Sequence, residues 1–387
     1  MSKVRLRDLK AANVLEVMMG KSVNKLHILV DARMADWSGV GRYSVGLIRA
    51  LCKRDDLKVT ALVSQGAREA LEAKGSLRNI DYVEMREHPF IPAGTREISA
   101  AYKESDADLL HCLQYCTPAQ ALANRPIVVT LHDLIPIVVT STMPNPLKRQ
   151  IYTAKNRRAL HVASQVIAPS QATATDIGKY FPRSDAPVSV IPEAADDFGT
   201  HPLAVPNSNS PYLLSMGNTR PHKNLEVLLE MMEKVQVDYP ELQLLLVGKR
   251  DDRWLHRQQE KYSKAMKCVH FTGFLSDEEL RGYYAHSQAF LCSSYYEGFG
   301  LPPLEAAAFG VPVVIARAAS LPEVMEDASL TVDPHDSDAW FSAVKCILDD
   351  KKYAQTLAEK ARVQSLKFSW SQVADSTVDL YRKMLQS

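Results

Sequence analysis

Ser294-Tyr295-Tyr296-Glu297-Gly298-Phe299-Gly300-Leu301-Pro302-Pro303-Leu304-Glu305-Ala306-Ala307-Ala308-Phe309-Gly310-Val311-Pro312-Val313-Val314 decides the fold. The apolar run ending in Cys292 predicts a buried strand, and Val311 to Ala316 predicts the next. Between them, a turn bracketed by glycines leads into a helix that Pro302 and Pro303 can begin and Gly310 can end. Strand, turn, helix, strand is the repeating unit of an α/β protein with a parallel sheet. Gly298 and Gly300 let the backbone approach a ligand, and the amides of a helix start suit an anionic oxygen. Glu297 at the turn and Glu305 on the helix are acceptors for hydroxyl hydrogens, as a sugar or ribose offers.

E-G-F-G-L-P-x-L-E-A, with Glu297 and Glu305 bracketing seven residues, closely resembles the E-x7-E motif of the family-four, group 1 retaining glycosyltransferases. The resemblance covers most of the chain from about residue 25 onward, and its flanks look mannosyltransferase-like. It implies a GT-B fold: α/β, two doubly wound parallel-sheet (Rossmann-like) domains facing across a cleft. It also implies that a sugar leaves a nucleotide diphosphate with retention of configuration and without a metal. Glu305 would then accept the ribose hydroxyls, and Glu297 those of the donor sugar. Gly298, Phe299, Gly300 and Leu301 would line the diphosphate.

Length and composition agree with two domains. A chain of 387 residues is long for one core. Lys and Arg number 46 against 45 Asp and Glu, so no net charge argues for nucleic acid. Six cysteines without a paired zinc spacing fit a reducing cytoplasm. No apolar run reaches the length of a membrane span, so a cytoplasmic place is expected, at the inner membrane face if the acceptor is lipid-linked. Residues 1–24 read as an N-terminal extension, or as a basic amphipathic helix resting on a membrane.

The expected N-terminal, acceptor-side domain spans 25–195. Its first strand, Leu26 to Val30, feeds a loop with Gly39 and Gly41, then a helix from about Arg42. This loop lacks the third glycine of the dinucleotide fingerprint, which disfavours an NAD-dependent oxidoreductase. By the resemblance, Gly39 and Gly41 face the donor. Asp36 and Trp37 either touch the acceptor or pack within the loop. Further strands are expected at Lys58–Val63, Asp108–Leu113, Ile127–Leu131, Val166–Pro169 and Val188–Ile191. His132 follows one of them, where such sheets bind ligands. The resemblance gives His132 sugar binding or transition-state support. Leu147 to His161 reads as a solvated basic helix, with attraction to a lipid phosphate as the sharper alternative.

Residues 196–210 are expected to be a linker, 211–370 the nucleotide-sugar domain, and 371–387 a helix packing back on the first domain. The strand Tyr212–Gly217 leads to Lys223, which matches the family's phosphate-binding lysine. The family often has an arginine where this chain has Asn218; Arg220 stands two residues on. Gly248, Phe274 and Leu275 are expected to frame the base. Asp106-Ala107-Asp108 and Asp336-Ser337-Asp338 imitate a metal-binding D-x-D, but one opens a strand and the other caps a helix, so no metal is expected.

Expected partners are a nucleotide-sugar donor, GDP-mannose favoured with a UDP-sugar open, and a glycan or lipid-linked acceptor of surface polysaccharide synthesis. A peripheral membrane contact accompanies the lipid-linked case. The catalytic set is Glu297, His132 and Lys223. Competing readings are a nucleotide-sugar epimerase or hydrolase of the same fold, and a non-catalytic donor-binding subunit, the latter because of Asn218.

Overall fold

The computed structural model describes residues 25–37, 39–73, 75–122, 125–195 and 210–386. The expected extension 1–24 and almost all of the expected linker 196–210 lie outside these residues.

The first sheet contains β1 (Leu26–Asp31), β2 (Leu57–Val63), β3 (Ile80–Glu84), β4 (Leu109–Cys112), β5 (Ile127–Thr130), β6 (Gln165–Ala168) and β7 (Val188–Val190). Its strand order is β3-β2-β1-β4-β5-β6-β7, and every pairing is parallel. The second contains β8 (Tyr212–Met216), β9 (Gln243–Val247), β10 (Val269–Gly273), β11 (Ala289–Cys292), β12 (Val313–Ala316) and β13 (Leu330–Val332). Its order is β10-β9-β8-β11-β12-β13, again parallel throughout. The order reverses beside β1 in one sheet and beside β8 in the other. Ligands bind beyond the strand ends at such switch points.

Central strands of a sheet covered on both faces must be apolar on both sides. Ile28, Leu29 and Val30 of β1 are wholly buried, as are Leu213 and Leu214 of β8. Two strands escaped the sequence reading, β3 and β13. Both lie at a sheet edge, and their residues are mostly half-buried, so they lack the continuous apolar run that marked the others.

The chain divides into two units. One takes the chain up to Asp133, Pro146–Ala194, and the chain from Trp370; the other takes Leu134–Asn145 and Ala195–Ser369. Residues 134–145 thus depart from the expected first domain. They hold a short 3-10 turn, Thr140–Thr142, that contacts another at Pro221–Lys223.

The terminal helix Trp370–Gln386 belongs to the first unit and packs on the helix Val40–Leu51. Gly46 makes this possible: a Cβ there would lie 2.1 Å from the Trp370 ring. Deeper in, Tyr381 Oη lies 2.5 Å from His111 Nδ1, whose Nε2 lies 2.8 Å from Thr130 Oγ1. Tyr43 Oη is 3.1 Å from the same Thr130 hydroxyl. Burial holds His111 neutral, its pKa pushed down to about 3.

Candidate active site

The second switch point gathers polar side chains from the loops after β8 and β11. After β8 the chain makes the turn Pro221–Lys223, and Asn224 then takes left-handed backbone angles (φ 51°, ψ 44°). Asn224 does not cap the following helix with its side chain. Its Nδ2 instead donates to the carbonyls of Ser293 at 3.1 Å and Pro334 at 2.7 Å. Ser293 Oγ donates to the Lys223 carbonyl at 2.8 Å, and the Tyr295 amide to that of His222 at 2.7 Å. The loops after β8 and β11 are therefore stitched together.

Across that seam, Lys223 Nζ donates to Glu297 Oε1 at 2.6 Å, with the side chains only 14% and 13% exposed. Ser294 Oγ donates to the same oxygen, also at 2.6 Å. Burial opposes both charges, yet the pair overrides it. The ammonium titrates above its ordinary value because Glu297 stabilises the cation; the carboxyl titrates below its own because of Lys223 and then Ser294. Both groups are ionised at neutral pH. The cation expected at a phosphate and the acid expected at a sugar thus neutralise one another. An incoming diphosphate would compete with Glu297 for Lys223 and leave the carboxylate to accept hydroxyl hydrogens.

Gly300 sits at φ 112°, and a Cβ there would meet Leu321 Cδ2 at 2.9 Å. The helix Leu301–Ala308 starts at once with Pro302 and Pro303 in its first turn. Prolines carry no amide hydrogen, so the donors this helix start can offer a ligand belong to Gly300 and Leu301. Ser320 Oγ lies 2.9 and 2.8 Å from the carbonyls of Glu297 and Phe299 and pins the turn from below. The Phe299 ring is buried, edge-on to Phe368, so only its backbone can serve the lining role expected of it. Glu305 is 2% exposed, and its Oε2 accepts from Tyr284 Oη at 2.9 Å.

The remaining expected residues fall as follows. Arg220 is exposed, close enough to Lys223 to oppose its charge. His222 is 3% exposed, its Nδ1 is buried without a partner among the described residues, and burial with Lys223 lowers its pKa to about 4. Gly248, just after β9, pairs with Gly273, the last residue of β10. Phe274 is 84% exposed, and Leu275 packs against the core. Asp336 caps its helix by accepting from the amides of Asp338 and Ala339.

In the first unit, His132 follows β5 and is buried. Nδ1 lies 2.8 Å from Glu193 Oε1 and Nε2 lies 3.0 Å from the Leu113 carbonyl. Both partners are acceptors, so both nitrogens donate and the ring is an imidazolium. Burial alone would lower its pKa; the Glu193 carboxylate outweighs it and raises it. Neither nitrogen is left for a sugar hydroxyl unless one bond is exchanged. Tyr43 packs edge-on against this ring, 4.7 Å between centroids. Gly41 is tight because a Cβ would lie 2.6 Å from the Ala35 carbonyl oxygen, whereas Gly39 (φ 75°) has open space around it. Trp37 packs on His88 and Phe90. Just after β1, Arg33 grips Asp31 through two bonds of 2.7 Å, both side chains buried.

Sequence reasoning missed Ser294, Ser320, Tyr284, Glu193 and the Asp31–Arg33 pair. Ser294 and Asp31 stood at strand ends and could have been flagged there. Nothing local to Ser320, Tyr284 or Glu193 betrays partners so distant in the chain.

The chain's two halves match two family models: Glycosyltransferase Family 4 over residues 37–197 and Glycosyl transferases group 1 over residues 201–364. O-antigen chain mannosyltransferase B of Escherichia coli is 34% identical over 177 residues, covering 44% of this chain and 45% of that one. The chain spans less than half the length of the Escherichia coli mannosyltransferases it matches. MMP alpha-(1->4)-mannosyltransferase of Mycolicibacterium hassiacum is 28% identical over 300 residues, 74% of this chain and 72% of that one. The solved structure of HepE from Anabaena in complex with UDP-glucose superposes with a TM-score of 0.71 at 19% identity, over 92% of this chain and 99% of that one, a likeness of fold. With family models spanning both sheets and a GT-B architecture, this chain belongs to the group 1 glycosyltransferases of family four.

Proposed function

We propose that this protein transfers a hexosyl group, mannose favoured, from a nucleotide-diphosphate sugar to a glycan or lipid-linked acceptor in surface polysaccharide synthesis. The observation that carries the reading is the Lys223–Glu297 pair at the second switch point, beside the Gly300 turn. Lys223, with Arg220 approaching from solvent and the amides of Gly300 and Leu301, stabilises charge on the departing diphosphate. Preorganised donors of this kind are worth about 3 kcal/mol each where they have been removed singly. Glu297, released from Lys223 by that charge, holds the donor sugar hydroxyls, and Glu305 the ribose.

His132, as a fixed cation, supports the transition state electrostatically. Transfer retains configuration by attack from the face of the departing diphosphate and needs no metal. GDP-mannose is the favoured donor because the similar proteins include mannosyltransferases; UDP-glucose in HepE keeps a UDP-sugar in the test. Among the described residues no helix is long and apolar enough to cross a membrane, and access to a lipid-linked acceptor is assigned to peripheral contact at the inner face.

A thermal-shift screen of GDP- and UDP-sugars tests this. The expected result is stabilisation by GDP-mannose that Lys223→Ala abolishes and Glu297→Ala retains, while both variants lose transfer. Undiminished turnover by either variant would remove that residue from the mechanism.

A further inference from the structure

A cavity of about 250 Å³ in the first unit lies apart from every residue assigned above to donor or catalysis. Its wall is largely apolar, with Phe90 and Tyr115 facing each other at 5.2 Å between ring centroids. Three cations also line it, Arg96, Lys155 and Arg158, and among the described residues no acid does. Among the described residues, none of these cations forms an ion pair. Lys155 Nζ donates to the Phe90 carbonyl at 2.8 Å and lies 5.3 Å from the centre of the Phe90 ring. Arg158 Nη2 reaches the Thr117 carbonyl at 3.5 Å, and its Nε is buried without a partner among the described residues. Uncompensated positive charge beside an apolar wall is costly unless an anion completes it.

The helix Pro146–Val162 extends the pattern. Leu147, Ile151, Lys155 and Arg158 are spaced four, four and three apart, which places them on one side of the helix. Leu147 and Ile151 are 64% and 49% exposed. An apolar track therefore runs along the helix surface to the cations. The cavity is smaller than a site enclosing a whole drug-sized ligand, roughly 300–1,000 Å³. It suits a head group, with the rest of the molecule outside.

We propose that this cavity binds the phosphate of an amphiphile, with Arg158, Lys155 and Arg96 on the phosphate and an alkyl chain along Ile151 and Leu147. Arg158 brings to the cavity the planar guanidinium that suits phosphate oxygens. Its role as the acceptor's lipid phosphate rests on the transferase reading; the binding itself does not.

Calorimetric titration of the full chain uses three probes: dodecyl phosphate below its micelle-forming concentration, inorganic phosphate, and uncharged dodecyl glucoside. Dodecyl phosphate is expected to bind at least tenfold tighter than either of the others. Arg96→Gln, on an exposed side chain, and Arg158→Gln should each weaken it roughly tenfold, about 1.4 kcal/mol. Ile151→Ser should weaken dodecyl phosphate and leave inorganic phosphate unchanged. Nucleotide-sugar thermal shifts should persist in all three variants, which shows that they fold. Equal binding of dodecyl glucoside would reduce the site to an apolar patch. Equal binding of inorganic phosphate would make it a free-phosphate site. Unchanged affinity in both arginine variants would move the phosphate elsewhere, and any of these results overturns the proposal. A chain that binds dodecyl phosphate but transfers no sugar sinks the transferase reading alone; one that transfers sugar but ignores dodecyl phosphate sinks this inference alone.

Discussion

Lys223 and Glu297 illustrate how two opposite charges can be held inside a seam between loops. Two buried charges that face each other cost far less than either alone. Lys223→Ala should therefore reduce stability as well as ligand affinity, by about 3 kcal/mol, because it strands Glu297. The double replacement Lys223→Met with Glu297→Leu should recover most of that loss, which urea unfolding of the cycle would reveal. His132 makes a prediction that depends on pH. Its folded pKa is raised, so the stability it contributes is fully present below the unfolded value near 6.5 and is lost as pH climbs through the folded value. Urea unfolding at acidic and alkaline pH should show wild-type chain losing this increment with alkalinity, and His132→Gln showing a flatter profile. The Asp31–Arg33 pair sits deeper still. Arg33→Met should cost about 3–5 kcal/mol, since it leaves the Asp31 carboxylate buried and unpaired.

At the scale of elements, the quoted stretch was legible because several local signals agree in it. An apolar run, paired glycines, two prolines that only a helix start tolerates, and a closing glycine all specify one strand–turn–helix. The structure places that helix at Leu301–Ala308, with Gly300 and Gly310 both at positive φ. Gly300→Ala should strain the turn and press on Leu321. A loss of about 1–3 kcal/mol in stability, with weaker nucleotide binding, is the expected outcome of calorimetry on that variant. What the sequence could not disclose has a common cause. β3 and β13 are edge strands with half-buried residues, and the partners of Glu305 and His132, Tyr284 and Glu193, lie 21 and 61 residues away in the chain. Periodicity reports how a residue meets the core. It carries no record of which distant side chain it meets. His222 shows the same limit: its neighbours in the chain are polar, yet the crossing of two loops buries it.

For the whole molecule, the chain leaves the first unit at Leu134, returns at Pro146, leaves again at Ala195 and comes back once more at Trp370. The terminal helix is held by Trp370 against Gly46 and by Tyr381 against His111. Gly46→Val should unseat it. Hydrogen exchange should then accelerate in residues 370–386 and in β4 and β5 while the second unit keeps its protection. This return has a bearing on biosynthesis. A ribosome delivers all of the second sheet before it delivers the segment that covers His111, so the earlier-made body must wait, incomplete, for the later one to be translated. During that interval the bared flank of its first helix is a natural place for a chaperone to bind, and a truncation just before Trp370 would injure the unit that was made first.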